Sequence, residues 1–187
     1  MINNLFLGLV HYPVYNKHNE TVSTSITNLD VHDISRTCLT YGVKQFFIIN
    51  PQDSQRQIFF RLKKFWDTDI AKEYNISRFN AFNIIKFSDS IEEATKLIKM
   101  EFKTNPILIT TSARSFKNTV NSDNIKNILQ LDSPKLILFG TAHGLTEDVI
   151  EKSDFLLEKI SGVSEYNHLS VRSAVAITLD RLFRVCK

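Results

Sequence analysis

The sequence predicts an α/β fold, a mostly parallel sheet with helices on both faces. Short β-rich apolar runs recur along the chain, and segments with helical spacing lie between them. Parallel neighbours need crossover connections rather than tight hairpins, which is what this alternation supplies. With 187 residues, 43% of them hydrophobic, the chain is long enough for one continuous core. No repeat, low-complexity tract or Pro/Gly-rich linker divides it, so a single domain over 1–187 is expected.

The first apolar run, Leu5 to His11, reads as a buried strand. Lys17 to Asn28 is polar, rich in Thr, Ser and Asn, and reads as a mobile surface loop. Helical spacing follows over Asp30 to Tyr41, with Asn28 or Asp30 available as the cap and Gly42 where a closing glycine belongs. Gln45 to Asn50 is the second strand. A helix is expected from Ser54 to about Lys72, with Ile58, Phe59, Leu62, Phe65 and Trp66 as its core stripe. Its other face carries Arg56, Phe60, Lys63 and Lys64, a basic face with one aromatic that suits phosphate contact and equally suits plain solvent.

Asn83 to Phe87 is the third strand, and Ser90-x-x-Glu93 has the capping-box form that opens a helix running to Lys103. Strands at Ile107 to Thr111, Leu136 to Phe139 and Phe155 to Ile160 alternate with helices at Ser122 to Leu131 and Thr146 to Lys152. A last helix covers Leu169 to Val185, rich in small residues near its start.

The longest apolar runs are too short to span a bilayer, and Met1 is followed by Ile2-Asn3-Asn4 rather than a basic leader, so no membrane partner and an unexported protein are expected. Cys38 and Cys186 make no C-x-x-C pair, which fits a reducing cytoplasm. A net charge of +3 permits a nucleic-acid partner without requiring one. Paired Cys/His ligands, H-E-x-x-H, G-x-S-x-G, G-x-G-x-x-G and the Walker phosphate loop are all missing from the sequence. Metal and serine-hydrolase chemistry are therefore poorly supported, and a ligand without a phosphate chain is favoured.

Ligands of open α/β sheets sit beyond the carboxyl ends of the strands. Three such ends are rich in glycine, small or hydroxyl residues: Thr110 to Arg114, Gly140 to Leu145, and Ile160 to Gly162. Only five glycines occur in the chain, and two of them, Gly140 and Gly144, fall in the middle loop. That loop reads either as part of a pocket or as a tight turn into the next helix. His143 and His168 lie in loops where an imidazole could exchange a proton or simply be solvated.

Leu136-Ile-Leu-Phe-Gly-Thr-Ala-His-Gly-Leu145 and Tyr166-Asn-His-Leu-Ser-Val-Arg-Ser-Ala174 together resemble the last two motifs of the SPOUT RNA methyltransferases. Thr27-Asn-Leu-Asp-Val-His-Asp-Ile-Ser-Arg36, running on to Tyr41-Gly42-Val43, resembles the first motif of the class, so the likeness spans nearly the whole chain. Within the class the chain is most similar to the small subfamily found alone or fused to bacterial tRNA guanine-N1 methyltransferase.

The resemblance implies a C-terminal trefoil knot, a homodimer built largely from the knot region, and an S-adenosylmethionine-dependent transfer of methyl to tRNA or rRNA. It places Thr111, Gly140, Thr141, Gly144, Ile160, Gly162, Leu169 and Ser170 around the cofactor. Arg36, which matches the arginine assigned to catalysis in ribose methylases, would reach the partner subunit's pocket; His143 and Asn167 are the other catalytic candidates. Three departures from the ribose-methylating branch leave the acceptor atom open. Asp30 stands where that branch has asparagine, its glutamate is missing from Gly140 to Leu145, and His168 replaces another asparagine. A non-catalytic RNA-binding or assembly module on the same fold is the rival expectation. An α/β enzyme of a small metabolite is a third, resting on the strand-end loops alone.

Overall fold

In the computed structural model, which describes residues 2–164 and 166–186, the chain begins with β1 (Leu5–Val10) and a small hairpin of β2 (Val14–Tyr15) and β3 (Thr21–Val22). Helix α1 (Asn28–Thr40) and β4 (Gln45–Ile49) follow, then three successive helices, α2 (Asp53–Trp66), α3 (Asp69–Tyr74) and α4 (Ile76–Asn83). The chain continues through β5 (Ile85–Ser88), α5 (Ile91–Phe102), β6 (Ile107–Thr110) and α6 (Ser122–Leu129). It ends with β7 (Lys135–Gly140), α7 (Glu147–Glu151), β8 (Phe155–Leu156) and α8 (Val171–Val185).

Six strands form one sheet in the order β5-β4-β1-β7-β6-β8, and every pairing in it is parallel. Successive residues of a strand point to opposite faces. In β1, Leu5, Leu7 and Leu9 accordingly join the core under α1, α2 and α8, where Ile34, Phe59 and Leu179 lie. Phe6 and Val10 point the other way and pack with Ala94 and Ile98 of α5 and Val149 of α7. Both faces are covered, and β1 is buried along its whole length, as the uninterrupted apolar run requires.

The α/β class and the six strands agree with the sequence, and several local expectations are corrected. The stretch from Lys17 to Asn28 is a bonded segment: Asn16 accepts from the amides of His18 and Glu20, and the Ile26 amide donates to Gln55 Oε1 at 2.8 Å. Most of its polar residues are exposed, as expected of a surface segment, and acceptors from outside it, Asn16 and Gln55, hold its backbone. Thr27, not Asn28 or Asp30, caps α1 by accepting from the Asp30 amide. The expected helix to Lys72 breaks at Asp67-Thr68, where Thr68 caps α3, and Asn75 then caps α4. Helix α4 displaces the start of the third strand to Ile85.

On α2 the buried residues are Gln55, Phe59 and Trp66, whereas Ile58 and Phe65 are 40% and 51% exposed. Trp66 is held by stacking on Phe82 of α4, a helix that the local periodicity does not announce. Of the strand expected from Phe155 to Ile160, only Phe155–Leu156 joins the sheet, through β6.

Candidate functional site

The register sets which strand ends meet. Val10 lies opposite Gly140, and Thr110 lies opposite both Leu138 and Leu156. The carboxyl ends of β1, β7, β6 and β8 thus form one edge, and the loops leaving it contain Thr111, Gly140, Thr141 and Gly144. The Thr111 amide and hydroxyl both donate to the Leu138 carbonyl, at 3.2 and 3.0 Å. Thr141 likewise directs its amide and hydroxyl to the Val10 carbonyl.

The loop from Gly140 to Leu145 is held on the β2–β3 hairpin as well as on the sheet. The His143 amide donates to the Tyr15 carbonyl, and the Tyr15 amide donates back to the Gly144 carbonyl. Two left-handed residues make the bend, Ala142 at φ 50° and Gly144 at φ 95°. For alanine that conformation costs roughly 1–2 kcal/mol, and such strain gathers at functional loops. At Gly140 a Cβ would lie 2.5 Å from the Leu145 amide nitrogen, so the loop closes over a position only glycine fits.

Asn167 organises the third loop. Its Nδ2 donates to the Ile160 carbonyl at 3.0 Å, and its Oδ1 accepts from the Gly162 amide at 2.9 Å. One side chain therefore staples together two of the residues expected around the cofactor. Ser170 caps α8, accepting from the Ser173 amide, and Leu169 beside it is 47% exposed.

Residues absent from the sequence-based list complete this edge. His11, at the end of β1, is 1% exposed; its Nδ1 lies 2.9 Å from Thr24 Oγ1, which lies 2.6 Å from Thr141 Oγ1. The Thr24 hydroxyl also lies 3.5 Å from the His11 carbonyl, so it has three polar neighbours within reach. The buried Nε2 of His11 has no hydrogen-bond partner among the described residues. Burial lowers the His11 pKa from 6.5 to about 4, against a smaller opposing pull from Asp30. Asn50, fully buried, joins the cluster by donating to the Thr24 carbonyl.

Asp30 has a role in this arrangement. It accepts from the Thr27 hydroxyl at 2.6 Å and faces Arg172 at 3.6 Å, while Asp33 faces the same guanidinium at 3.7 Å. A carboxylate at 30 thus ties the start of α1 to the start of α8. Arg114 makes a second tie. Its guanidinium lies over the rings of Tyr15 and Phe116 and donates to the Leu145 carbonyl, linking the Thr110 and Gly140 loops to the hairpin.

Of the three catalytic candidates, Asn167 is engaged on its own loop and His143 is exposed within the Gly140 loop. Arg36 stands apart from both. It is exposed on α1, in a groove of about 350 Å³ shared with Tyr41 and with Ala176 of α8.

Residues 4–184 match the model of a protein family described as SAM-dependent RNA methyltransferase. The chain belongs to this family. As a family member it is 38% identical over 98% of its length to an uncharacterized protein of Aquifex aeolicus, covering 90% of that protein. It is 40% identical over 96% of its length to a tRNA (guanine-N(1)-)-methyltransferase of Oleidesulfovibrio alaskensis, spanning only 42% of that longer chain. In fold, this methyltransferase-family chain is similar to a TrmH/SpoU tRNA-modifying enzyme of A. aeolicus. The TM-score is 0.59, with 15% identity over 97% of this chain and 75% of that one. The expected α/β architecture, a mostly parallel sheet with helices on both faces, is thereby borne out.

S-adenosylmethionine is the cofactor of the family. The strand-end loops suit it chemically: they offer backbone groups, hydroxyls and glycines, with Leu169 as an apolar neighbour, and lack the phosphate cradle that a nucleotide would need. Among the described residues no group of His, Cys, Asp or Glu is placed to hold a metal ion, and no helix is long and apolar enough to cross a membrane.

Proposed function

We propose that this chain binds S-adenosylmethionine at Thr111, Gly140 to Gly144, Ile160 to Gly162 and Leu169-Ser170, and methylates tRNA in the cytoplasm as a homodimer. The observation that carries the proposal is the convergence of the Thr111 and Gly140 loops on one sheet edge in a chain of this family. The tRNA assignment draws on the name of the partly covered relative. When bound, the cofactor supplies a methyl group activated by a sulfonium.

The chain's own contribution is to hold and orient. Fixing two reactants in an attack geometry replaces a bimolecular encounter with a nearly unimolecular one. Asn167 acts as a positioning residue by setting the Ile160–Gly162 loop. His143, exposed beside Gly144, is the group available to take a proton from the acceptor. Arg36 would serve the other protomer, across a dimer face formed on α1 and α8, where Leu29 and Leu39 are 62% and 41% exposed. The C-terminal trefoil knot is part of this reading and rests on the motif resemblance alone.

Isothermal titration with S-adenosylmethionine and S-adenosylhomocysteine tests the site. Saturable binding that disappears in Gly140→Trp is expected. Arg36→Ala should abolish transfer of labelled methyl to bulk tRNA while leaving cofactor affinity nearly intact. A folded protein that binds neither ligand would remove the proposal in favour of a module that keeps the fold without the cofactor.

A further inference from the structure

Between α5 and α7, on the sheet face opposite α1 and α8, lies a groove of about 790 Å³ that none of the expected site residues lines. We propose that it is a track for an unpaired stretch of RNA, leading the strand to the Gly140–Leu145 loop; the inference rests on the methyltransferase reading above.

The groove's position is the first argument. One end is bounded by Tyr12, Tyr15 and Thr146. Tyr15 is bonded through its backbone to both His143 and Gly144, so this end abuts the loop at which transfer is placed. Leu108 of β6 also lines it, with Lys99 on the α5 side and Lys152 on the α7 side.

The chemistry is the second. Glu92, Lys96 and Lys99 share one face of α5 through helical spacing, and Lys152 follows α7 on the other wall. Among the described residues none of the three lysines takes part in an ion pair. Of the carboxylates along the groove, Asp89 is already held by Arg56, leaving Glu92 and Asp148 against three free ammonium groups. Tyr12, 42% exposed, offers a ring at the loop end. Cations spaced along a groove with an aromatic platform at one end match a phosphate backbone whose bases are free to stack.

A fluorescently labelled twelve-nucleotide oligouridylate tests this, by anisotropy at several salt concentrations. The combined K96Q, K99Q and K152Q variant should bind at least tenfold more weakly. Its log affinity should fall less steeply with log salt, by a slope of about 2, because each single-strand phosphate contact contributes about 0.7. Y12A should weaken binding several-fold and leave the salt slope unchanged. K64Q with K72Q, on α2 and α3, should bind as the wild type does. Equal affinity of the triple variant and the wild type, loss in the K64Q/K72Q pair instead, or no binding by the wild type would each overturn the groove. Cofactor titration of the same variants keeps the two proposals apart. Retained S-adenosylmethionine binding with unchanged RNA affinity overturns only the groove, whereas loss of cofactor binding in the wild type overturns the methyltransferase reading.

Discussion

Acidification should destabilise this fold through one histidine. His11 is buried, its pKa is lowered to about 4 chiefly by that burial, and its unfolded-state value is near 6.5. Between those values the unfolded chain binds a proton that the folded chain refuses, so stability from this group is complete above 6.5 and is lost as pH falls toward 4. The loss is about 2 kcal/mol at pH 5 and about 3 kcal/mol at pH 4, at 1.36 kcal/mol per tenfold in proton affinity. His11→Asn keeps a donor toward Thr24 Oγ1 and removes the titration. Urea midpoints measured from pH 7.5 to 4.5 should therefore fall more steeply in the wild type than in H11N, with the gap opening below 6.5. Parallel curves would refute the assignment.

Two further outcomes follow from single side chains. Asn167→Ala removes both hydrogen bonds of the Ile160–Gly162 staple, worth together about 2 kcal/mol, so the unfolding free energy should fall by up to about 2 kcal/mol and cofactor affinity measured by titration by up to roughly thirtyfold; Asn167→Asp, which keeps only the acceptor for Gly162, should be intermediate, and an unaltered affinity in N167A would contradict the positioning role. Trp66→Ala empties the site between Phe82 and His32 and should cost about 3–5 kcal/mol of unfolding free energy, whereas a loss below about 1 kcal/mol would mean that α4 does not depend on that ring.

Local chemistry carried much of this protein into view. The apolar runs of β1, β4 and β7 read as buried strands, and their alternation with helical segments left a parallel sheet as the natural way to connect them. The Gly140–Leu145 loop was legible because glycine clustering after a strand has a local conformational cause, now visible in the closeness of Gly140 to Leu145. Helix α4 was not legible, since its burial depends on Trp66 and α1, partners that periodicity within eight residues cannot report.

The rest was decided by tertiary structure. His11 is an ordinary histidine in the sequence; only the folding of Thr24 and Thr141 against it, thirteen and 130 positions away, turns it into a buried base. Asp30 is a departure from a motif until Arg172 is brought beside it. Lys96 and Lys99 of α5 and Lys152 after α7 are far apart in sequence until the sheet sets them along one groove. Hydrophobic period and turn chemistry are properties of neighbours along the chain, so a sequence displays them directly. Hydrogen-bond partnership, burial of charge and the shape of a cavity are properties of neighbours in space, and for this protein the long parallel crossovers alone determine which residues those are.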